Sequence, residues 1–332
     1  MAKLTRERIV NKIWSILVRK SRHYWFYPYL YRSYWHFLFC KHHVGGLDET
    51  FYAARPNPGA GIGHQMANWN AGYWWAKQFG LKFAHIPFST KSWEDFLGLG
   101  EGEITVKELK KKGYKVRRIP CFDESRPEEV QMQRDIIASY SGRKVVFVAE
   151  QDQSYKDQYG VMDEIQRKFY SAPARENDCL IYDGNHFNIA IHARRGDIMS
   201  NPNNPNLAMR ILSNQYFFNA LKGALELIET DKDVNIYFFS QGTPADFPEF
   251  NEFRNLHWCF DMSAQQSFLH MVYADLLITS KSSFSYKPAL LNKGIKVCPK
   301  DFWHGYPDSD DWILCDSHGK FECSQKKSLS HE

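Results

Sequence analysis

The stretch FNIAIHARRGD, Phe187 to Asp197, decides the fold. Phe187 to His192 is a mostly apolar run, with only Asn188 and the terminal His192 polar and no Gly or Pro in it, and it reads as a buried strand. The chain then turns abruptly polar at Arg194-Arg195-Gly196-Asp197. Downstream the same alternation recurs. Ser213 caps a helix with Phe217, Leu221, Leu225 and Ile228 at helical spacing. Val234 to Ser240 reads as a second strand, Gln265 to Tyr273 as a helix, and Asp275 to Ser280 as a third strand. Phe284 to Asn292 is helical again, and Ile295 to Cys298 is a last short strand. Strands alternating with helices across short links imply right-handed βαβ units on a parallel sheet. Ligands of such sheets bind beyond the carboxyl ends of the strands, so the residues after each strand are the candidates for function.

Those strand ends are polar. Arg194 and Arg195 offer two planar guanidinium forks suited to a pyrophosphate. Asp197 could orient an arginine or take a proton from a substrate hydroxyl. Ser240-Gln241-Gly242 follows the second strand, and Lys281-Ser282-Ser283-Phe284-Ser285 follows the third and opens a helix. Hydroxyls and free N–H groups at a helix start bind phosphate, although a serine there also serves as an ordinary cap.

The first half is less regular. Phe83 to Pro87, Tyr114 to Ile119 and Val145 to Ala149 read as strands, and Gln65 to Gln78 as a helix. Gly59-Ala60-Gly61-Ile62-Gly63 opens that helix, and its glycines allow the backbone to approach an anionic ligand. The loop lacks the Lys-Ser/Thr of a phosphate-binding P-loop.

With 43% hydrophobic and 24% charged residues in 332, the chain is globular and long enough for two domains. A net charge of +4 and the lack of any nucleic-acid module argue against a DNA or RNA partner. Seven cysteines without a C-x-x-C pair read as reduced thiols. Ala2 to Lys20 carries charges throughout and no signal-peptide core, which gives a cytoplasmic expectation.

Residues 1–43 stand apart. Ile9, Ile13, Ile16 and Leu17 follow helical spacing beside Arg6, Lys12, Arg19 and Lys20, and an aromatic block runs from His23 to His43. Basic charge with Trp and Tyr is the composition of a helix lying in a membrane interface. A crossing needs ~20 apolar residues. Tyr24 to Cys40 is shorter and carries Arg32 and His36. Peripheral attachment to the cytoplasmic face of a membrane, packing against a domain or second subunit, and a true span are the three readings.

His192-Ala193-Arg194-Arg195-Gly196-Asp197 resembles the H-x-R-R-x-D motif of the α1,2-, α1,6- and protein O-fucosyltransferase superfamily. Gly61-Ile62-Gly63-His64-Gln65-Met66 resembles its G-x-G-N-Q-M loop, and Asp275 to Ser285, DLLITSKSSFS, resembles the third motif of α1,2-fucosyltransferases. The resemblance extends from Gly59 to about Pro299 and keeps the family order. It departs from the pattern at His64 and Lys281, each in place of Asn, at Ile198 in place of an aromatic, and at Tyr286-Lys287 in place of a Trp pair.

The resemblance implies an α/β protein of GT-B type, with two Rossmann-like domains facing across a cleft. The boundaries expected are a 1–45 basic and aromatic segment, a 46–182 acceptor-side domain and a 183–332 nucleotide-sugar domain. It implies an inverting transfer from GDP-fucose to a glycan hydroxyl, a lipid-linked glycan among the candidates, with no metal and no other cofactor. By matched position Arg194 meets the pyrophosphate, and His192 and Arg195 shape the same pocket. Ser282 and Ser283 lie near the β-phosphate beside Phe284, and Ser240 and Gln241 near the nucleoside. Gly61 and Gly63 form the glycine loop, and His64 and Asp197 are the candidate bases. Two other readings stand beside this one. Asp308-Ser309-Asp310 fits a D-x-D metal motif of a transferase using another nucleotide sugar. The ten Trp would also suit a non-catalytic sugar-binding scaffold.

Overall fold

The computed structural model describes residues 6–40, 45–57, 59–149, 155–196, 207–321 and 329–330. The chain begins with α1 (Arg6–Ser21), α2 (Arg32–Phe39), β1 (Thr50–Ala54), α3 (Ile62–Gln78) and β2 (Lys82–Phe83). Then come α4 (Lys91–Leu97), α5 (Val106–Lys111), β3 (Lys115–Ile119), α6 (Pro127–Ala138), β4 (Val145–Ala149) and α7 (Met162–Ser171). The second half holds β5 (Phe187–His192), α8 (Leu207–Arg210), α9 (Asn214–Leu227), β6 (Ile228–Glu229), β7 (Val234–Phe239) and β8 (Leu256–Trp258). It ends with α10 (Ala264–Tyr273), β9 (Leu276–Ile278), α11 (Ser283–Leu291), β10 (Ile295–Pro299), β11 (Trp312–Cys315) and β12 (Leu329–Ser330).

The described residues fall into two compact units. The first draws on Met1–Pro58, Asn68–Pro87 and Gly102–Tyr155, and the second on Gly59–Ala67, Phe88–Glu101 and Lys156–Glu332. A single boundary at 182–183 therefore does not describe the division. The chain passes repeatedly between the units before residue 156, and α3 begins in one and ends in the other. Contact along such a path is not local in sequence, which is why composition does not mark it.

The first unit carries a four-stranded sheet of order β2-β1-β4-β3, parallel throughout. Phe51, Ala53, Val146 and Val148 pack one side of it together with Ala84 and Leu109. The sequence reading missed β1, the strand next to the centre. Its TFYAA run is short, flanked by charge, and carries no turn signal. The expected strand at Phe83–Pro87 is confined to Lys82–Phe83, an edge pairing with Phe51 and Tyr52.

The second unit carries a six-stranded sheet of order β11-β10-β9-β5-β7-β8, with every pairing parallel. Numbered within the sheet, that is the 3-2-1-4-5-6 order of a Rossmann fold. Phe187, Ile189 and Ile191 of β5 are buried with Phe217 and Leu221 of α9 and Phe238 of β7 in one core. The expected strand Phe187–His192 and the Ser213 cap are both found, the Ser213 side chain accepting from the Tyr216 N–H. β8 and β11 escaped the sequence reading, at three and four residues.

Candidate functional site

In the 3-2-1-4-5-6 order the strand sequence reverses between β5 and β9. The chain leaves β5 through Ala193 and Arg194 and leaves β9 through Thr279 to Ser282, so both segments emerge at this switch point. Arg194 Nη1 donates to Ser282 Oγ at 3.3 Å. Ser282 is the N-cap of α11, and its Oγ accepts the Phe284 N–H at 3.2 Å. A guanidinium thus sits at the positive end of a helix, an arrangement that gathers cationic charge at one point.

Beneath this surface lies a buried polar cluster. His192 Nδ1 is 3.0 Å from Ser280 Oγ, and Ser280 Oγ is 3.2 Å from Ser285 Oγ. Burial first, then Arg194 and Arg195, push the His192 imidazole down to about 3, so the ring stays neutral. Phe284 packs against it at a tilt of 50°, with ring centres 5.4 Å apart. The sequence reading includes Ser280 and Ser285 in the TSKSSFS run that ends the third strand, but gives neither a role of its own.

The paired guanidiniums do not act as one clamp. Arg195 Nη2 donates to Asn214 Oδ1 at 2.8 Å, and its guanidinium lies over Phe217 and Phe247 at 5.8 and 5.6 Å. Consecutive residues in extended chain project to opposite sides, so Arg194 faces Ser282 while Arg195 braces α9. Ser240 Oγ donates to the Ala193 carbonyl at 2.8 Å and ties the end of β7 to the end of β5. Gln241 packs its carboxamide over Gly196, where φ is +68° and a Cβ would fall 1.6 Å from Gln241 Oε1. Asp197 and Ile198 lie outside the described residues.

The glycine loop joins the same unit. Gln65 Nε2 donates to the Ala60 carbonyl at 2.8 Å and holds the loop against the first turn of α3. Gly63 sits so near α11 that a Cβ on it would lie 2.4 Å from the Ser283 carbonyl oxygen. Its lack of a side chain therefore brings two helix N-termini together. Gly61 is exposed and has no atom within 4 Å of where a Cβ would stand.

His64 is half-buried on α3. Burial, then Lys287 and Arg210, lower its pKa below the ordinary imidazole value. Lys287, on α11, is wholly buried and donates to Gln158 Oε1, and burial holds its amine well below the usual lysine range. His304 stacks on Tyr286 at 4.9 Å, and burial drives its pKa down to about 2, with Lys287 adding to the effect.

Asp308 and Asp310 are exposed in the turn before β11. That turn stands at the amino end of an edge strand, and Arg194 stands at the carboxyl end of the parallel sheet, so the two lie at opposite ends. The next residue, Asp311, pairs with Lys296. Among the described residues no three His, Cys, Asp or Glu side chains converge on one point.

Neither known protein families nor curated proteins yield a match to the sequence. Several solved structures are similar. The α-1,6-fucosyltransferase NodZ soaked with GDP-fucose is 13% identical, with a TM-score of 0.43 over 74% of this chain and 93% of that one. POFUT1 in complex with GDP-fucose is 10% identical, at 0.41 over 76% and 97%. The heptosyltransferase WaaC of E. coli is 11% identical, at 0.40 over 80% and 92%. All three scores lie below 0.5, so the chemistry of the site is read from this chain's own residues.

Proposed function

We propose that the chain is an inverting glycosyltransferase, independent of metal, that moves fucose from GDP-fucose to a hydroxyl of a glycan acceptor in the manner of α1,2-fucosyltransferases. The observation that carries this reading is the contact of Arg194 with Ser282 at the N-terminus of α11, at the switch point of a Rossmann-type sheet. As the anomeric C–O bond breaks, the diphosphate takes up the bonding electrons. Arg194, the Ser282 and Ser283 hydroxyls and the helix dipole stabilise that charge. The acceptor oxygen bonds to the opposite face of the anomeric carbon and gives up its proton to a base. His64 suits that role, because its lowered pKa keeps it neutral and able to accept a proton at neutral pH. Asp197 is the other candidate.

In this reading the second unit holds the donor, with Ser240 and Gln241 near the nucleoside and His192, Arg195 and Phe284 shaping the wall. The first unit serves the acceptor, a lipid-linked glycan among the candidates. The three motifs support the donor assignment, and the chemistry of the strand ends supports a diphosphate leaving group.

The test is a panel of GDP- and UDP-sugars offered to the purified chain in excess EDTA, with sugar release and transfer measured. Turnover of GDP-fucose alone, undiminished by EDTA, is the expected result. Activity lost in EDTA and restored by Mn²⁺ would move the assignment to Asp308 and Asp310. Donor binding without turnover would favour the scaffold reading.

A further inference from the structure

Helix α1 packs its less apolar face inward. Asn11, Trp14, Ser15, Val18 and Ser21 recur at helical spacing and are buried or half-buried. Asn11 accepts from Arg118 at 3.0 Å, and the Arg118 guanidinium lies over Trp14 at 5.0 Å. Ile9, Ile13, Ile16 and Leu17 make up the other face and are exposed, Ile13 at 62%. A helix that only packed onto its own domain would bury the aliphatic stripe. Of the fourteen exposed large apolar side chains among the described residues, eleven lie between Ile9 and Phe39.

The aromatic block continues this surface. Trp25 is 82% exposed and Phe39 is 74% exposed. Ring contacts run from Trp25 to Tyr29 at 6.0 Å, from Tyr29 to Trp35 at 5.5 Å and from Trp35 to Phe39 at 5.7 Å, so these exposed rings form one line. The block is anchored from below. Tyr27 and Tyr31 are buried with their hydroxyls 2.8 Å apart, and Ser33 donates to the Arg118 carbonyl at 2.7 Å. The exposed rings are therefore held in place by a folded base.

Charge indicates what covers this face. Residues 1–47 contain nine Lys and Arg and a single acid, Glu7, giving +8; the whole chain is +4, so the remainder carries −4. Lys12, Arg19 and Lys20 are exposed on the same helix as the aliphatic stripe. Among the described residues no helix is long and apolar enough to cross a membrane. An exposed aliphatic stripe, flanking cations and a line of Trp and Tyr match the headgroup region of an anionic bilayer.

We propose that α1 and the Trp25–Phe39 aromatic line form a docking surface for an anionic lipid bilayer, with α1 lying in the plane of the interface. This holds whatever reaction the second unit performs.

The test is co-sedimentation of the full chain with phosphatidylcholine vesicles, with and without phosphatidylserine. Binding is expected with the anionic vesicles, falling as salt rises and much weaker on neutral ones. Lys12→Gln/Arg19→Gln/Lys20→Gln should weaken anionic-vesicle partitioning about a hundredfold, near fivefold for each charge. Ile13→Asp/Trp25→Ser should weaken it at least about tenfold. All these positions are exposed, so far-ultraviolet circular dichroism and the urea unfolding midpoint should stay near native. Native chain left in the supernatant with anionic vesicles would overturn the proposal, as would unchanged partitioning of the Ile13/Trp25 variant. A dimer in vesicle-free buffer that this variant converts to monomer, with no vesicle binding, would assign the face to a second copy.

Discussion

Gly63→Ala tests how closely the two helix starts must approach. The added Cβ would lie 2.4 Å from the Ser283 carbonyl oxygen, 2.5 Å from the Ser283 carbonyl carbon and 2.9 Å from the Phe284 nitrogen. Ordinary contact begins near 3.4 Å, and all three neighbours are backbone, so no side chain can swing aside. The first turns of α3 and α11 must part by about 1 Å, overpacking that costs about 1–3 kcal/mol. Alanine's better helix propensity offsets up to about 1 kcal/mol of this, leaving a net loss of at most about 3 kcal/mol. The part that moves carries Ser282, so the Arg194 contact at 3.3 Å opens as well. A displacement of ~1 Å at a charge-stabilising group can lower turnover about 100-fold. Urea unfolding reads the first effect, and calorimetric titration with GDP, with donor turnover beside it, reads the second. Gly61→Ala is the internal control, because nothing stands within 4 Å of its Cβ, and it should retain native stability. Gly63→Ala with native stability and native GDP affinity would refute the reasoning, as would an equal penalty at Gly61.

Two predictions concern pH. Lys287 keeps a folded pKa below the unfolded 10.5, so between those values only the unfolded chain carries the proton and stability falls as pH falls. The slope from this group is about 1.4 kcal/mol per pH unit, and Lys287→Met should remove it in denaturant midpoints measured across mildly alkaline pH; an unchanged slope would mean the amine is charged in the folded chain. His192 titrates near 3 when folded against 6.5 when unfolded, so its contribution is complete above 6.5 and is lost as pH falls toward 3. His192→Asn should flatten the acid limb by about 1.4 kcal/mol per pH unit, and equal acid limbs in variant and native chain would show the imidazole to be accessible to protons.

The second unit was legible because its strands are buried on both faces and read as mostly apolar runs. Phe187–His192 and Val234–Phe239 announce themselves in this way, and the polar residues after them mark the switch point. The first unit hid its order, since Thr50–Ala54 is short and Lys82–Phe83 is an edge pairing. Matched position assigns Arg194 and Arg195 different roles, but that Arg194 faces Ser282 while Arg195 turns to Asn214 depends on backbone geometry that adjacency does not reveal. Gly63 was noticed for a ligand, whereas its clearest contact is with the backbone of α11. Ser280, Ser285 and buried Lys287 acquired meaning only when β5, β9 and α11 came together. The apolar stripe of α1 was visible in the sequence, but that it faces outward was not.

The central claim is that Arg194 stabilises a departing nucleoside diphosphate, and the rate of GDP-fucose turnover by folded Arg194→Ala chain, relative to native, measures it most directly. Loss of one such contact lowers the rate about 10²- to 10³-fold. Arg194→Lys should recover little of it, because an ammonium cannot reproduce the planar fork. The account predicts that drop with an unchanged unfolding midpoint. Near-native turnover by the alanine variant would contradict it.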